Sequence, residues 1–462
     1  MKFIKYFFYC WIVFILACHP EEEIITDSPD AGLLLSTDTV LFDTLLTERL
    51  SLTKRFRIYN PSENAVRIDR IRLGLGGQSS YRIIANGKEG PEITNEILSG
   101  GDSLLVLVDS EINPNDQDLP YLVKDSVIID WNTNSLHVKL IAWGQDAHYI
   151  NAAALFDTTF SGSRPFVIYD SLLVQPGCTL KIEKGVRMLF NNDAALHVAG
   201  TLIISGEKDA RVTFRNTRFD QNYLEAPGQW GDPQIGAGII YYPQSQGNVL
   251  SYCVIENAAS GIYMGVPDED DEFDLAINNT IIRHMTRFGI IAFTSDIKAE
   301  NSLIDNCGSS LVANLAGGNY EYIHCTLSNY PNFFLSEDPA VILSDNIETG
   351  GDPIIAPLKI SLINNIIWGS GDEELIINGG GGSEINLIME SNIVRSEGTI
   401  PDNYTSTETN FPDFENPLSF NYRLDSTSFP VDKGRDAGLL MDLDGKTRDS
   451  FPDIGAYEYI EE

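Results

Sequence analysis

The feature that most constrains this chain is an apolar doublet that returns through its second half at nearly constant spacing. Val254-Ile255, Ile281-Ile282, Leu303-Ile304, Ile366-Ile367 and Ile393-Val394 follow one another, with Thr326-Leu327 as a weaker member. The spacing is about 22 to 27 residues except where a stretch from Pro339 to Pro357 adds a loop, and periods of that size mark solenoids. Asn279, Asn301, His324, Asn364 and Asn392 recur just before the doublets, and Asn257, His284, Asn306 and Asn329 stand two places after them. Rungs stacked about 4.8 Å apart bring such side chains into ladders in which each amide bonds the next, and asparagine tolerates the left-handed corner a coil must turn. Gly261-Ile262, Gly289-Ile290 and Ser310-Leu311 then open the next face of each coil. The pattern predicts a β-helix rather than a sandwich for this region.

Composition bounds the rest. The chain has 462 residues, enough for two or three domains, and 43% of them are hydrophobic and 10% aromatic, which excludes a disordered chain. With 66 Asp+Glu against 31 Lys+Arg the net charge is −35. Duplex binding depends on Lys and Arg neutralising phosphates, so nucleic acid is excluded as a partner, as is a charge-based hold on anionic lipid.

At the amino terminus Lys2 and Lys5 precede an apolar run from Tyr6 to Leu16, too short to span a bilayer and sized for the apolar region of a signal peptide. The run ends in Leu16-Ala17-Cys18, which resembles a bacterial lipobox, although Ile15 holds the usual leucine position. That resemblance implies removal of residues 1–17 and acylation of Cys18, and two or more acyl chains make a stable anchor. A plain secretory signal or a short membrane anchor is the alternative. Glu21, Glu22 and Glu23 in the acidic tether 18–32 are similar to the export signal that follows the lipidated cysteine in surface lipoproteins of Bacteroidetes-type bacteria, and they also fit a solvated linker. The resemblance implies an outer-membrane, lipid-anchored protein facing outward, held through acyl chains rather than charge.

Residues 33–147 read as short strands with turn signals between them, such as Phe56-Arg57-Ile58-Tyr59 before Asn60-Pro61-Ser62, and predict an antiparallel sandwich. Phe56 to Pro61, Gly101-Asp102-Ser103 and Gly144-Gln145-Asp146-Ala147 resemble immunoglobulin-like modules of the same lipoproteins. Gly74, Gly76 and Gly77 lack the Lys-Ser/Thr of a phosphate loop and predict a turn.

Ser171 to Val186, Leu196 to Gly206, Arg211 to Phe214 and Gly228-Gln229-Trp230-Gly231 resemble the opening coils of right-handed parallel β-helix proteins of the pectate-lyase-like superfamily, which assigns that fold to residues 160–397. Beyond a polar linker, residues 411–462 end in Asp453-Ile454-Gly455-Ala456-Tyr457-Glu458, similar to the segment that closes many bacterial β-helix surface proteins. A solenoid's last rung exposes an unpaired edge, so this segment is expected to cap it. The fold class is all-β throughout.

Chemistry is harder to place. His19, His137, His148, His197, His284 and His324 show no metal-site spacing, no Gly-x-Ser-x-Gly elbow occurs, and no cofactor is called for. Cys178, Cys253, Cys307 and Cys325 lack Cys-x-x-Cys spacing and are either disulfide-bonded or buried as free thiols, with Cys253 and Cys325 sharing a register. The residues that follow the doublets are Glu256, Arg283, Asp305, Ser328, Trp368 and Arg395. Stacked on one face, they put Arg283 between two carboxylates about 9.6 Å apart, the range a glycosidase pair occupies, with Trp368 as a sugar-stacking candidate. A solvated salt-bridge ladder is the plain alternative. Asp268, Asp270 and Asp271 in an acidic run could ligate Ca²⁺, yet they lack EF-hand spacing and also fit a solvated loop. Two functions follow as expectations: a non-catalytic surface module that binds a polysaccharide or a surface protein, or a polysaccharide lyase or glycosidase on the same fold.

Overall fold

The computed structural model describes residues 23–220, 224–266, 270, 272–330, 334, 336–348, 350–398, 403–405 and 411–461. They form two compact units that divide between Asp146 and Ala147. Cys18, Asp268 and Asp271 lie outside the described residues.

The first unit is a β-sandwich. One sheet joins Ile25–Thr26, Ala65–Leu73, Tyr121–Trp131, Asn134–Gln145 and Thr39–Leu46, with Glu92–Leu98 on Ala65–Leu73. The other joins Leu34–Leu35, Lys54–Tyr59, Ser103–Ser110, Tyr81–Ala85 and Lys88–Gly90. Alternation along each strand turns Phe56, Ile58, Ile68, Ile71, Val106, Val108, Val127 and Ile129 into one core. The stretch expected to be a tether enters this fold: Ile25 and Thr26 pair with Ala65 and Val66, and the Ala31 carbonyl accepts a 2.7 Å hydrogen bond from Trp131 Nε1. A β-branched pair inside an acidic run can gain an edge pairing, so the ordered fold starts before residue 33. Gly76–Gln78 is a short 3₁₀ turn, as expected.

The second unit is a parallel β-helix with three faces per rung. The first face is an eleven-stranded sheet running from His148–Ile150 to Tyr404–Thr405, and the other two share a sixteen-stranded sheet. The coil therefore starts at His148, not at residue 160, because His148–Ile150, Ala153–Leu155 and Thr158–Phe160 already pair in parallel with the following rung. Tyr404–Thr405, within the expected linker, adds a strand to Ile393–Val394.

The doublets show how the coil is closed. Ile255, Ile282, Ile304, Leu327, Ile367 and Val394, the second members, point into the solenoid core. Ile281, Leu303, Ile366 and Ile393, first members, point outward, where Phe414, Tyr422, Leu424, Leu443, Ile454, Ala456 and Tyr457 cover them. Residues 411–461 are thus a strap laid lengthwise over the first face rather than a cap on the last rung. A strand buried on both sides carries consecutive apolar residues, and the doublet is that signature.

Hydrogen bonds fix the strap at many rungs. Arg211 Nη2 donates to the Leu443 carbonyl, Asn279 Nδ2 to that of Asp442 and Asn301 Nδ2 to that of Met441. The Gly455 amide donates to the Asn364 carbonyl and the Ala456 amide to Thr326 Oγ1. Within the strap the buried Arg448–Glu458 pair closes at 3.0 Å, and Asp453 accepts from the amides of Asp432 and Tyr459. Burial pushes the Asp453 carboxyl up to about 7.

Asn279, Asn301, His324 and Asn364 do take positive φ, between 45° and 57°. Asn392 does not share that corner. Ser391 turns it at φ 52°, and Asn392 instead joins an internal ladder, its side-chain oxygen accepting from the Asn365 amide while its own amide donates to Asn403 Oδ1. The corner asparagines bond chiefly to the strap because their amides face outward. All four described cysteines are free thiols, three of them buried.

Candidate functional site

The column expected after the doublets forms on the first face: Glu256 pairs in register with Arg283, Arg283 with Asp305, Asp305 with Ser328, and Ser328 with Trp368. Arg215 extends it, its Nη1 lying 3.3 Å from Glu256 Oε1, and Arg283 Nη2 lies 2.9 Å from Asp305 Oδ2. The strap covers it. Asp305 is 0% exposed, the Arg283 guanidinium lies 5.8 Å from the Phe420 ring centre, and Tyr422 and Tyr457 are buried in the same layer. Burial pushes the Asp305 carboxyl up to about 6 against the pull of Arg283, and also raises Glu256 against Arg215 and Arg283. Glu256, Arg283 and Asp305 are thus a neutralised ladder inside the protein and not the pair of exposed carboxylates the glycosidase reading needs.

Trp368 is 2% exposed, with the Phe411 ring edge-on at 5.0 Å and the Arg395 guanidinium at 5.7 Å. It floors an open groove of about 470 Å³ rimmed by Tyr330, Arg395 and Leu418, but offers no free face for a sugar. Asp270 accepts from the Glu272 amide in a local turn, and among the described residues no group of three His, Cys, Asp or Glu side chains is placed to hold a metal ion.

The second face carries a different constellation. Its outward side chains fall into two columns. One holds His197, Ile240, Tyr263 and Ile291, matched rung by rung. The other holds Tyr242, just past Tyr241, then Gly265 and Phe293. Gly265 is the informative member. Its φ lies outside the left-handed range, and a Cβ there would meet no atom of the described residues within 4 Å. Neither backbone nor packing requires glycine, so its effect is to leave a recess on the floor between Tyr242 and Phe293, rings about two rungs or 9.6 Å apart. Tyr263 forms the side wall, its ring centre 5.5 Å from that of Phe293. Tyr242, Tyr263 and Phe293 are each partly exposed.

A polar cluster closes one end of this recess. His197 Nδ1 lies 3.2 Å from the Tyr242 hydroxyl, and its Nε2 3.6 Å from Asp232 Oδ2. Asp232 is fixed by its own loop, Oδ1 accepting from the amides of Gln234 and Ile235 at 2.8 Å each. Burial lowers the His197 pKa, and Asp232 opposes this, so the imidazole is neutral near pH 7. The loop is anchored by Trp230, which stacks on Phe190 at 4.4 Å and donates from Nε1 to the Glu256 carbonyl at 2.8 Å. The Gly228-Gln229-Trp230-Gly231 segment is therefore a plug that places Asp232. A neutral imidazole between a carboxylate and a phenol can give or accept hydrogen bonds to hydroxyls, while the rings offer stacking faces.

His197 has no histidine partner along the chain, and no local motif marks Tyr242, Tyr263 or Phe293. A signal existed. Gly238, Gly261 and Gly289 each open this face, and the residues two and four places later, Ile240 and Tyr242, Tyr263 and Gly265, Ile291 and Phe293, are its outward columns.

A family model described as the right handed beta helix region matches residues 149–330 of the chain, in agreement with the coil described above. Comparison with curated proteins finds no match. Among solved structures, the chain is similar to XylC in complex with xylose at 10% identity, covering 88% of this chain and 85% of that one with a TM-score of 0.37. It is similar to the catalytic unit of an α-1,3-glucanase from Streptomyces thermodiastaticus at 10% identity, over 80% and 77% of the two chains with a TM-score of 0.29. A family 123 glycoside hydrolase from Clostridium perfringens matches at 7% identity with a TM-score of 0.19, and the chain spans only 30% of that protein's length.

Proposed function

We propose that this chain is a surface-displayed lipoprotein that binds a neutral glycan without cleaving it, in the recess over Gly265. The observation that carries the reading is the recess itself: an unforced glycine between Tyr242 and Phe293, walled by Tyr263 and closed by the His197–Asp232–Tyr242 cluster. Aromatic faces suit the apolar faces of sugar rings and the cluster suits their hydroxyls. The net charge of −35 disfavours acidic glycans, whose approach it would oppose. Burial and neutralisation of the Glu256–Arg283–Asp305 ladder favour binding over catalysis on the first face.

In this proposal acyl chains on Cys18 hold the protein at the outer membrane, facing outward. Mass spectrometry of the mature chain tests that part, and an unacylated Cys18 would sink it. A panel of neutral and uronate-rich oligosaccharides tests the rest. Saturable binding of a neutral member, weakened by Tyr263→Ala and Phe293→Ala and without product release, is expected. Release of an unsaturated or reducing product would replace this reading with a lyase or glycosidase acting at His197 and Asp232.

A further inference from the structure

The carboxy-terminal end of the solenoid carries a second, independent feature. On the second and third faces the last strands are Leu375–Asn378 and Ile385–Glu390, and among the described residues each pairs only with the rung before it. The strap runs over the first face, and the first-face sheet alone continues further, through Ile393–Val394 to Tyr404–Thr405. Among the described residues two strand edges are therefore open, apart from the Met389 carbonyl, which accepts from Asn403 Nδ2.

The side chains say the same. Val341, Leu358 and Leu362 are 0% exposed and Ile360 is 3% exposed, whereas Leu387, which continues the Ile360 column inward, is 43% exposed. Ile376 and Ile388 on the same strands are 43% and 47% exposed, and Ile354 and Ile355 of the neighbouring hairpin are 52% and 45% exposed. Natural sheets usually blunt such an edge with lysine, proline or a bulge, and between Glu384 and Glu390 this one carries Ile385, Leu387, Ile388 and Met389 instead. Around it stand Glu348, Asp352, Asp372, Glu373, Glu384 and Glu390, against Arg395 and Arg435, each of which pairs with one of these acids, and the exposed Lys359, in register with Asn386.

We infer that this end is a docking site for an extended segment of another protein, apolar at alternate positions and basic at its flanks, which adds a strand to Ile385–Glu390. Backbone pairing supplies the attraction, the exposed Leu387 row supplies pockets for alternate side chains, and the acidic collar selects the partner's charge. The same collar disfavours a second copy of this chain, because pairing Ile385–Glu390 with itself would bring Glu384 and Glu390 against their counterparts.

The test uses the purified full chain and a synthetic peptide of alternating valine and threonine with lysines at both ends, beside a glutamate-flanked peptide of the same core. Saturable binding of the lysine-flanked peptide is expected, at least about tenfold tighter than its counterpart at low salt and converging as salt rises. Leu387→Lys and Ile388→Lys, with melting temperatures followed to confirm folding, should each weaken it. Absence of saturable binding, equal affinity for the two peptides, or concentration-dependent self-association abolished by the same substitutions would each overturn the inference.

Discussion

Replacing Asp305 with asparagine separates a buried structural ladder from a catalytic one. The carboxylate is fully buried and holds Arg283 at 2.9 Å, so Asp305→Asn keeps the shape and leaves the guanidinium without its closest counter-charge beneath Phe420. Breaking a buried pair by removing one partner costs about 3 to 5 kcal/mol. Arg283 keeps 20% side-chain exposure and has Glu256 in the next rung, which places this substitution at the low end, about 3 kcal/mol. The reciprocal Arg283→Met leaves a carboxyl already raised to about 6, which becomes protonated rather than remaining charged. Its penalty is therefore smaller below pH 6 and grows by about 1.4 kcal/mol per pH unit above it. The double variant Arg283→Met, Asp305→Leu should recover most of the loss, since apolar replacements of a buried pair are often neutral or better. Urea unfolding of the full chain at pH 5 and pH 8, followed by circular dichroism and tryptophan fluorescence, measures these variants together with the single Asp305→Leu, which closes the cycle with Arg283→Met. A single Asp305→Asn change within about 0.5 kcal/mol of the parent, with no coupling in the cycle, would refute the ladder's structural role.

Three further outcomes follow from the same geometry. His284 Nδ1 accepts from Asn306 and His324 Nε2 from Asn364, and burial together with nearby arginines lowers both imidazoles to about 3, so their stabilisation is complete above pH 6.5 and is lost as pH falls toward 3. His284→Gln should flatten the fall in melting temperature between pH 6 and pH 4, and an unchanged slope would contradict it. In the strap, Arg448→Met leaves Glu458 buried without its partner and should cost about 3 kcal/mol or more, read by thermal unfolding. Ending the chain at Gly398 uncovers Ile281, Leu303, Ile366 and Ile393 and should produce strong binding of a hydrophobic dye with aggregation, whereas a soluble, dye-silent product would argue against the strap.

Much of the architecture was legible because a solenoid writes its period into the chain. The doublets set the rungs, and Asn279, Asn301 and Asn364 marked corners the backbone does turn at positive φ. The doublets carried a second message, since their outward members are apolar only because something covers them, and that something is the carboxy-terminal segment expected at the end of the coil. Its placement depends on long-range bonds such as Asn279 to Asp442, which no local pattern encodes. For the same reason the column of Glu256, Arg283 and Asp305 was predicted in register but not in exposure. The recess was hidden differently: Tyr242, Gly265 and Phe293 belong to three successive rungs, so they become neighbours only after the coil is wound.

On the proposed function, the recess over Gly265 is the ligand site and the covered ladder is not. Titration calorimetry of the neutral oligosaccharide selected from the panel, against Gly265→Leu and Asp305→Asn side by side, tests it most directly. Leucine at 265 meets no backbone strain and, among the described residues, no neighbour within 4 Å of its Cβ, so the fold should be kept while binding is abolished, and Asp305→Asn should bind like the parent despite its lower stability. Full affinity in Gly265→Leu, or loss of binding confined to Asp305→Asn, would contradict the claim.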